Sequence, residues 1–324
     1  MSNGSQVQSG TSGQGNGGNI HVKTENIIIS ERNQQGRSGI FASSESLNKN
    51  YPKNKLGNAG DIVIETNNLS MSDNGTIAAS TFGPGQGGDL TINVKNHLSL
   101  TNRSSILARS LTTRPAPDAS LCDLTEENTS NNSDLTYGDA GTVAFDIGTS
   151  LQMNCSCIRT TADNSGGGKI SVTSPGYLYL TDSEISSSVQ IGGKDGGDIT
   201  LNPKLFVLEN STIKATAHQG NGGNIDIVTV GIYGIDNEGN YLYPKDFLDA
   251  SSEFGINGEI TISSPENVNI EKLVLPTPPK IKDLPTDRCA GLTRDDLSRF
   301  TIVIRDVFPE SPLDLKTHYL FDLD

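Results

Sequence analysis

The sequence contains no tryptophan, and aromatic residues make up only 5% of its 324 residues. Apolar residues of all kinds reach 33%, whereas glycine alone occurs 35 times. A chain with so few bulky apolar side chains cannot fill the broad interior of an ordinary globular domain. Its regularly placed Ile, Leu and Val nevertheless exclude a disordered chain. A thin core that extends along a repeated structure satisfies both constraints.

Long apolar runs and basic charge are also scarce. No run of about 18 apolar residues occurs, which excludes a membrane-spanning helix. Residues 1–18 have no basic region followed by an apolar stretch, so they are not a secretory signal. We therefore expect either that the protein stays inside the cell or that this chain is the downstream part of a larger exported polypeptide. The formal charge of −14 argues against binding to nucleic acid.

The four cysteines are too few for a disulfide scaffold and too loosely spaced for a zinc site. Outside the cytoplasm they could form up to two disulfides, and three connectivities are open. Two of them are separated by one residue, so in an extended segment they would point to one side. The candidates are Cys122, Cys155, Cys157 and Cys289, and whether Cys122 pairs with Cys155 or Cys157 stays open.

A short anchor recurs along the chain. It consists of a small residue, a glycine and a polar residue, followed by two apolar residues separated by one position. The anchor glycines are separated by 42, 28, 53, 27, 29, 26 and 35 residues, so the unit has about 27 residues and the longer gaps contain insertions. The anchor glycines are Gly18, Gly60, Gly88, Gly141, Gly168, Gly197, Gly223 and Gly258.

Within each unit the apolar residues form three alternating pairs, which is typical of short strands with one buried face. Stacked units would pair each strand with its counterparts above and below. The sequence therefore predicts an all-β protein, a right-handed parallel β-helix with three sheets and about eight coils. A helical solenoid is the competing interpretation, and the absence of a 3.6-residue apolar period argues against it. Examples of the pairs are Leu90/Ile92, Leu98/Leu100 and Ile106/Ala108, and Ile62/Ile64, Leu69/Met71 and Ile77/Ala79.

The organisation that follows has three parts. Residues 1–14 are predicted to be disordered, residues 15–275 to form the β-helix, and residues 276–324 to form a Pro-rich linker and a capping tail. We expect each anchor glycine to occupy a positive-φ corner or a tight bend in which a Cβ atom would clash. Three insertions are predicted to interrupt the coils, at 43–58, 110–139 and 231–257; the second contains an acidic stretch, and the third contains Tyr233, Tyr241, Tyr243 and Phe247.

The repeated unit and the tail carry a family resemblance. A typical unit reads Gly87-Gly88-Asp89-Leu90-Thr91-Ile92 followed by Leu98-Ser99-Leu100, and the tail contains Cys289, Ser298-Arg299-Phe300 and Pro309-Glu310-Ser311-Pro312. Over residues 15–315 the chain resembles the large filamentous-haemagglutinin-type surface proteins of cyanobacteria. The resemblance implies two-partner secretion through an outer-membrane β-barrel transporter and display as an adhesive filament. Members of the family begin with a signal peptide and a secretion domain, so the resemblance points to their C-terminal portion.

The residue after each anchor glycine would occupy an equivalent corner in successive coils. Asp61 and Asp89 would then lie one above the other, about 5 Å apart. Two interpretations are open: a cation site on the edge of the rod, or a polar ladder in which Asx side chains bond to their own turns. We favour the polar ladder. Lys169 beside Asp198 would make an exposed ion pair that contributes little to stability.

No catalytic constellation is recognisable. His21, His97, His218 and His318 form no pair at metal-binding spacing. The outward strand positions are mostly Ser, Thr, Asn and Lys, without the paired acids of β-helix polysaccharide lyases and hydrolases. The chain is accordingly predicted to have no cofactor and to be no enzyme, with a carbohydrate-active enzyme as the alternative.

The predicted function is that of a structural adhesion module at the cell surface or outside the cell. It would display loops from a β-helical rod to a surface polysaccharide or to a receptor on a partner cell. A third possibility is an unexported fragment of a split gene. The resemblance adds the outer-membrane transporter as a partner of the full-length parent protein.

Overall fold

The computed structural model describes residues 1–34, 36–45, 56–111, 122 and 137–265. Nearly all regular structure in these residues is β-strand, and the one helix has four residues. The elements are β1 (Gln6–Gln8), β2 (Ile20–Lys23), β3 (Asn26–Ile29), β4 (Gly39–Phe41), β5 (Ile62–Thr66), β6 (Asn68–Met71), β7 (Thr76–Ala78), β8 (Leu90–Val94), β9 (His97–Thr101), β10 (Ser105–Leu107), β11 (Val143–Ile147), β12 (Ser150–Asn154), β13 (Cys157–Ala162), β14 (Ile170–Thr181), β15 (Glu184–Val189), β16 (Ile199–Glu209), β17 (Thr212–Ala217), β18 (Ile225–Val228), β19 (Gly231–Ile235), β20 (Tyr241–Leu242), α1 (Pro244–Phe247), β21 (Leu248–Asp249) and β22 (Ile260–Ser263).

The strands stack into three ladders in which neighbours are one coil apart and parallel. The first ladder runs β2, β5, β8, β11, β14, β16, β18 and β22. The second runs β3, β6, β9, β12, β14, β16 and β19. The third runs β1, β4, β7, β10, β13, β15, β17 and β21. The chain is thus an all-β parallel solenoid, as the repeat predicts.

By hydrogen bonding the three ladders make two sheets. The third ladder is a sheet of eight strands, and the first and second join, together with β20, in a sheet of 14 strands. They join because β14 and β16 continue from the first ladder into the second, with a register shift between Ser174 and Tyr177 at the bend. The hydrogen bonds of the described residues therefore define two sheets and not the three separate sheets that were predicted. Among the described strands one pair is antiparallel, β19 with β20, and an isolated antiparallel bridge joins Arg32 and Arg37.

The core is a set of stacked inward columns, as the alternation predicts. In the third ladder an isoleucine from each of six successive coils faces inward, and each is at most 1% exposed. The apolar pairs predicted at Ile62/Ile64, Leu69/Met71, Leu90/Ile92 and Leu98/Leu100 in the other ladders are buried in the same cluster, whereas Ile260 and Ile262 in the last coil are each 38% exposed. Successive residues of a strand point to opposite faces of the sheet, so every second side chain of each strand faces the core. Stacking of the coils then aligns these inward side chains into columns. The six residues are Ile40, Ile77, Ile106, Ile158, Ile185 and Ile213.

The anchor glycines are required by close approach of the backbone. A Cβ atom on Gly88 would lie 2.0 Å from the carbonyl oxygen of Gly60 in the coil before it. Among the described glycines a positive φ occurs only at Gly4 and Gly239, neither of which is an anchor. Of the two reasons expected for the anchor glycine, the clash applies and the left-handed corner does not.

Residues 1–14 were predicted to be disordered, but part of this segment forms a strand of the solenoid. Strand β1 pairs with β4, and the amino group of Met1 donates a hydrogen bond to the carbonyl of Ile28 at 2.7 Å. The Met1 side chain packs against the core. The segment was missed because Gln6 and Gln8 give β1 no apolar alternation, although its backbone extends the third ladder.

The predicted insertion at 231–257 is shorter than expected. Strand β19 is the regular second-ladder strand of its coil and pairs with β16, while β21 continues the third ladder on β17. The excursion is therefore confined to the residues between β19 and β21. The other two predicted insertions lie mostly outside the described residues, and the linker and tail at 276–324 lie entirely outside them.

Phe247 explains why the strand β19 was not recognised from the alternation of apolar residues. Strand β19 has Gly234 where an inward apolar side chain is expected, and a Cβ atom there would lie 2.3 Å from the ring of Phe247. Phe247, at the end of α1, is 3% exposed and belongs to the core. A residue from the excursion thus fills the place that the strand leaves empty.

We predict that Phe247→Ala lowers the free energy of unfolding by about 3–5 kcal/mol, because it removes a ring that Gly234 cannot replace. Phe254→Ala is the matched control, since Phe254 is 69% exposed and its truncation should change stability by no more than about 0.5 kcal/mol. Urea unfolding followed by circular dichroism measures both variants. Equal effects of the two substitutions would contradict the placement of Phe247.

Candidate binding surface

The predicted corner ladder exists, and it joins neighbouring coils. The carboxylate of Asp61 accepts a hydrogen bond from the backbone N–H of Asp89 at 3.0 Å, and Asp89 accepts one from Thr142 at 2.7 Å. Asn19 accepts one from Asp61 in the same way at 2.9 Å. The polar-ladder interpretation is therefore the one that the geometry supports, although the bonds reach the next coil and not the residue's own turn.

A second row of Asx residues, three positions before the first, was missed in the sequence. Asn58 accepts a hydrogen bond from the backbone N–H of Gln86 at 3.0 Å, and Asp195 accepts one from Asn221 at 2.7 Å. The two rows flank a polar groove of 370 Å³ whose floor is formed by the small anchor residues. An Asn or Asp before most anchors was the available signal.

The groove offers little chemistry beyond these bonds. In the part of the chain that the structure describes, no group of three or more His, Cys, Asp or Glu residues is placed to hold a metal ion. Lys169 and Asp198 form the expected surface ion pair at 3.3 Å, with side chains 69% and 38% exposed. We therefore assign the corner rows a structural role.

The histidines lie apart from one another. His21 faces solvent, as expected, and contacts Glu65 at 3.1 Å; a hydrogen bond from Lys23, followed by that from His21, lowers the pKa of Glu65. His97 bonds to Ser150, and His218 lies 2.7 Å from Glu253. The fourth histidine, His318, lies outside the described residues.

The structure resolves the cysteine pairing that the sequence leaves open. Cys122 is bonded to Cys157, with the two Cα atoms 5.4 Å apart. Cys155 is exposed and forms no disulfide with the other cysteines that the structure describes. It does not share a side with Cys157 as expected, because its φ of 47° places it in a left-handed corner before β13 and not in an extended segment. Cys289 lies outside the described residues.

The outward face of the second ladder changes character along the solenoid. In β6, β9 and β12 it presents polar residues such as Ser70, Ser99 and Gln152. In β14, β16 and β19 it presents aromatic and aliphatic side chains, all of them exposed except Val207, which is half-buried. We call this region the tyrosine face; it consists of Tyr177, Tyr179, Leu205, Val207 and Tyr233.

Strand register brings these residues together from three coils. Tyr179, Val207 and Tyr233 are direct neighbours in one row, and Tyr177 and Leu205 are neighbours in the row beside it. Tyr179, Leu205 and Tyr233 are 38%, 40% and 49% exposed, so the solenoid does not cover them. The expectation that outward strand positions carry mostly Ser, Thr, Asn and Lys is wrong for these three coils. For that reason the tyrosine face was not identified from the sequence.

Polar partners orient the tyrosine hydroxyls. The amide of Gln152 donates a hydrogen bond to the hydroxyl of Tyr177 at 2.8 Å, and the hydroxyl of Tyr179 donates one to Glu209 at 2.7 Å. The hydrogen bond to Glu209 is the main cause that raises the pKa of Tyr179. The rings are thereby held as a fixed surface with polar edges.

The excursion after β19 places two further tyrosines near this face. Tyr241 lies on β20, which pairs with β19, and is 79% exposed; Tyr243 is 73% exposed. The Tyr233 ring covers the place where Gly231 lacks a side chain. A Cβ atom on Gly231 would lie 3.2 Å from the ring of Tyr233 and 3.3 Å from the side chain of Leu205. Of the aromatic residues noted in this insertion, the three tyrosines are therefore exposed and Phe247 is buried.

Comparison of the chain with protein-family models, with curated protein sequences and with solved structures finds no match. Among the described residues there is also no helix that is long and apolar enough to cross a bilayer.

We predict that Asp89→Ala lowers the free energy of unfolding by about 0.5–1 kcal/mol, because the N–H of Thr142 loses its partner in the next coil. Asp146→Ala is the control, since Asp146 is an exposed outward residue of β11. Urea denaturation distinguishes the two variants. An Asp89 variant as stable as the Asp146 variant would show that the ladder bond contributes nothing.

The contact between Tyr179 and Glu209 gives a pH-dependent prediction. Glu209→Gln replaces the charged acceptor of the Tyr179 hydroxyl by a weaker, neutral one and also removes the negative charge that disfavours the phenolate. The pKa of Tyr179 should therefore fall toward the ordinary value of about 10. NMR titration of ¹³C-labelled tyrosines measures this change. Glu238→Gln, which alters another exposed acid, should leave the Tyr179 titration unchanged; a similar fall in both variants would contradict the assignment.

Proposed function

We propose that this chain is a non-catalytic binding module of an exported filamentous surface protein and that its tyrosine face contacts the partner. The observation that carries the proposal is the change of the second ladder's outward face from polar side chains to exposed Tyr and Leu and half-buried Val over three consecutive coils. Contiguous exposed apolar surface bordered by polar groups is typical of interaction sites in soluble proteins. Tyrosine suits such a surface because it offers a large apolar ring with a polar tip.

Two further properties support a location outside the cytoplasm. The disulfide between Cys122 and Cys157 is a bond that persists in oxidising compartments. The net charge of −14 suits a soluble surface protein and opposes contact with phosphate backbones. Within this proposal the chain belongs to a two-partner secretion protein, which would cross the outer membrane through a β-barrel transporter.

The proposed architecture is a right-handed β-helix with three faces. Parallel crossover connections are right-handed in nearly all known sheets, which favours this hand. With a rise of ~4.8 Å per coil, eight coils make a rod on the order of 40 Å long. A rod of this kind presents in-register rows of side chains, which suits contact with an extended polymer such as a surface polysaccharide. A receptor protein on a partner cell is the other class of ligand.

The test is binding of the purified chain to immobilised bacterial surface polysaccharides and to whole cells. The double variant Tyr179→Ser, Tyr233→Ser should weaken binding at least ~30-fold, the scale of a lost hot spot of about 2 kcal/mol. Ile28→Ser is the matched control, because Ile28 is an outward apolar residue of the same ladder in the first coil and is 63% exposed.

Equal binding by the double variant and the Ile28 variant would reject the tyrosine face as the contact surface. Depolymerisation of the polysaccharide during the assay would reject the non-catalytic proposal in favour of a carbohydrate-active enzyme. Selective loss of polysaccharide binding identifies the polymer as partner, and selective loss of cell binding identifies a receptor.

A further inference from the structure

The tyrosine side chains of the tyrosine face lie over the sheet. The hydroxyl of Tyr179 reaches Glu209, which is on the next strand and two residues beyond Val207, the direct neighbour of Tyr179. The hydroxyl of Tyr177 accepts its hydrogen bond from Gln152, which lies diagonally across on the preceding strand. A long side chain contacts such a diagonal neighbour by leaning across the sheet. The two side chains therefore form a low, broad surface and not isolated projections.

The third ring lies over the sheet in the same way, and its spacing from the first matches a polymer. Tyr233 covers Gly231, two residues earlier on its own strand. Tyr179 and Tyr233 belong to one row with one strand between them, so their strands are two spacings, or ~9.6 Å, apart. This is close to the length of one disaccharide in an extended β-1,4-linked polysaccharide. Successive sugars of such a chain are turned over, so sugars one disaccharide apart present the same apolar face to the two rings.

One edge of the tyrosine face is acidic. Where the three strands of the face end, residues 181–183, 209–211 and 235–237 include three acidic and no basic side chains, the acids being Asp182, Glu209 and Asp236. Hydrogen bonds within its turn, first of all that from the side chain of Asn240, lower the pKa of Asp236 and keep it ionised. Lys204 lies at the opposite end of the face, at the bend of β16. The acidic edge therefore attracts positive charge.

Glu209 directs part of this charge toward the rings. Its Oε2 accepts hydrogen bonds from the hydroxyls of Tyr179 at 2.7 Å and Thr181 at 3.5 Å, whereas its Oε1 accepts none within the described part of the chain. Because a carboxylate oxygen can accept more than one hydrogen bond, Oε1 is available to an outside donor. A cation bound there also lies near a tyrosine ring, and ammonium groups are attracted to the faces of such rings. The rings and the carboxylate together favour an ammonium group attached to an apolar body.

We propose that the tyrosine face binds an extended β-1,4-linked polysaccharide that carries free amino groups. The inference rests on the proposed function, since it names the polymer that the same face binds. Sugars one disaccharide apart stack on Tyr179 and Tyr233, and a protonated amine donates to Glu209. The net charge of −14 attracts a polycation over long range. A neutral polymer leaves the acidic edge without a partner, and an anionic polymer is repelled by it.

Isothermal titration calorimetry of the full chain with three hexamers tests the ligand. The hexamers are β-1,4-linked glucosamine, its fully N-acetylated form and cellohexaose, in a mildly acidic buffer in which the amines are protonated. The glucosamine hexamer should bind at least ~5-fold more tightly than either neutral hexamer, the scale of one cation contact at an exposed site. Equal binding of the three hexamers, or tighter binding of a neutral one, would overturn the role of the amino groups.

Variants locate the preference on the face. Glu209→Gln keeps a hydrogen-bond acceptor for Tyr179 but removes the charge, so the preference for the glucosamine hexamer should disappear. Asp226→Asn is the matched control, because it removes one charge from an outward residue of β18 on the first ladder and should keep the preference. Tyr233→Ser should weaken binding of the glucosamine hexamer, since one of the two ring contacts is lost. A preference that survives Glu209→Gln contradicts the proposed contact.

The outcomes separate this inference from the proposed function. If no hexamer binds while the double variant Tyr179→Ser, Tyr233→Ser still weakens binding to surface polysaccharides or cells, the amino polymer is excluded and the tyrosine face remains the contact surface. If the double variant binds those targets as the wild type does, the proposed function itself fails. A hexapeptide of lysine that binds more tightly than the glucosamine hexamer would identify a basic protein segment as the partner and exclude the polymer.

Discussion

The hydrogen bonds between each coil and the next are the interaction on which the rest of the structure depends. A coil of about 27 residues cannot close a core of its own, but stacking pairs its strands with those of both neighbours and aligns the inward side chains into columns. The register of these bonds is unbroken through the third ladder, and it stacks the inward isoleucines of six coils. The anchor glycines from Gly60 onward belong to the same constraint, since the backbone of one coil lies against that of the coil before it at the corner.

The same stacking creates the surfaces. Because every coil repeats the geometry of the coil before it, equivalent outward positions of successive coils are direct neighbours. Side chains of similar character at these positions therefore form a continuous row on the surface. The corner carboxylates therefore become acceptors for the next coil's backbone, and tyrosines from separate coils become one face. The disulfide attaches Cys122 to Cys157, which lies 35 residues later in the chain. Because Cys157 belongs to β13, its position is set by the stacking of the third ladder.

Sequence alone predicts the features that follow the alternation, and it misses those that depend on contacts between coils. The inward pairs Leu90/Ile92 and Ile62/Ile64 could be assigned because a period of two is visible locally. The coil of β19 could not, since Gly234 leaves its inward place to Phe247, a contact that no local pattern contains. The choice of Cys157 over Cys155 depends on the left-handed corner at Cys155, which only the folded chain reveals. Tyr179 and Tyr233 were available as outward residues, but their adjacency depends on the register of β14, β16 and β19.

The register of the solenoid is the central claim, and a distance measurement tests it most directly. Spin labels on cysteines introduced at Ser70 on β6 and Val207 on β16, with Cys155 and Cys289 replaced by serine, would be separated by four strand spacings of the second ladder. Pulsed electron paramagnetic resonance should give a narrow distribution of label distances near ~19 Å, from four spacings of ~4.8 Å. A broad distribution, or one centred beyond about 30 Å, would contradict the stacked coils and with them the tyrosine face.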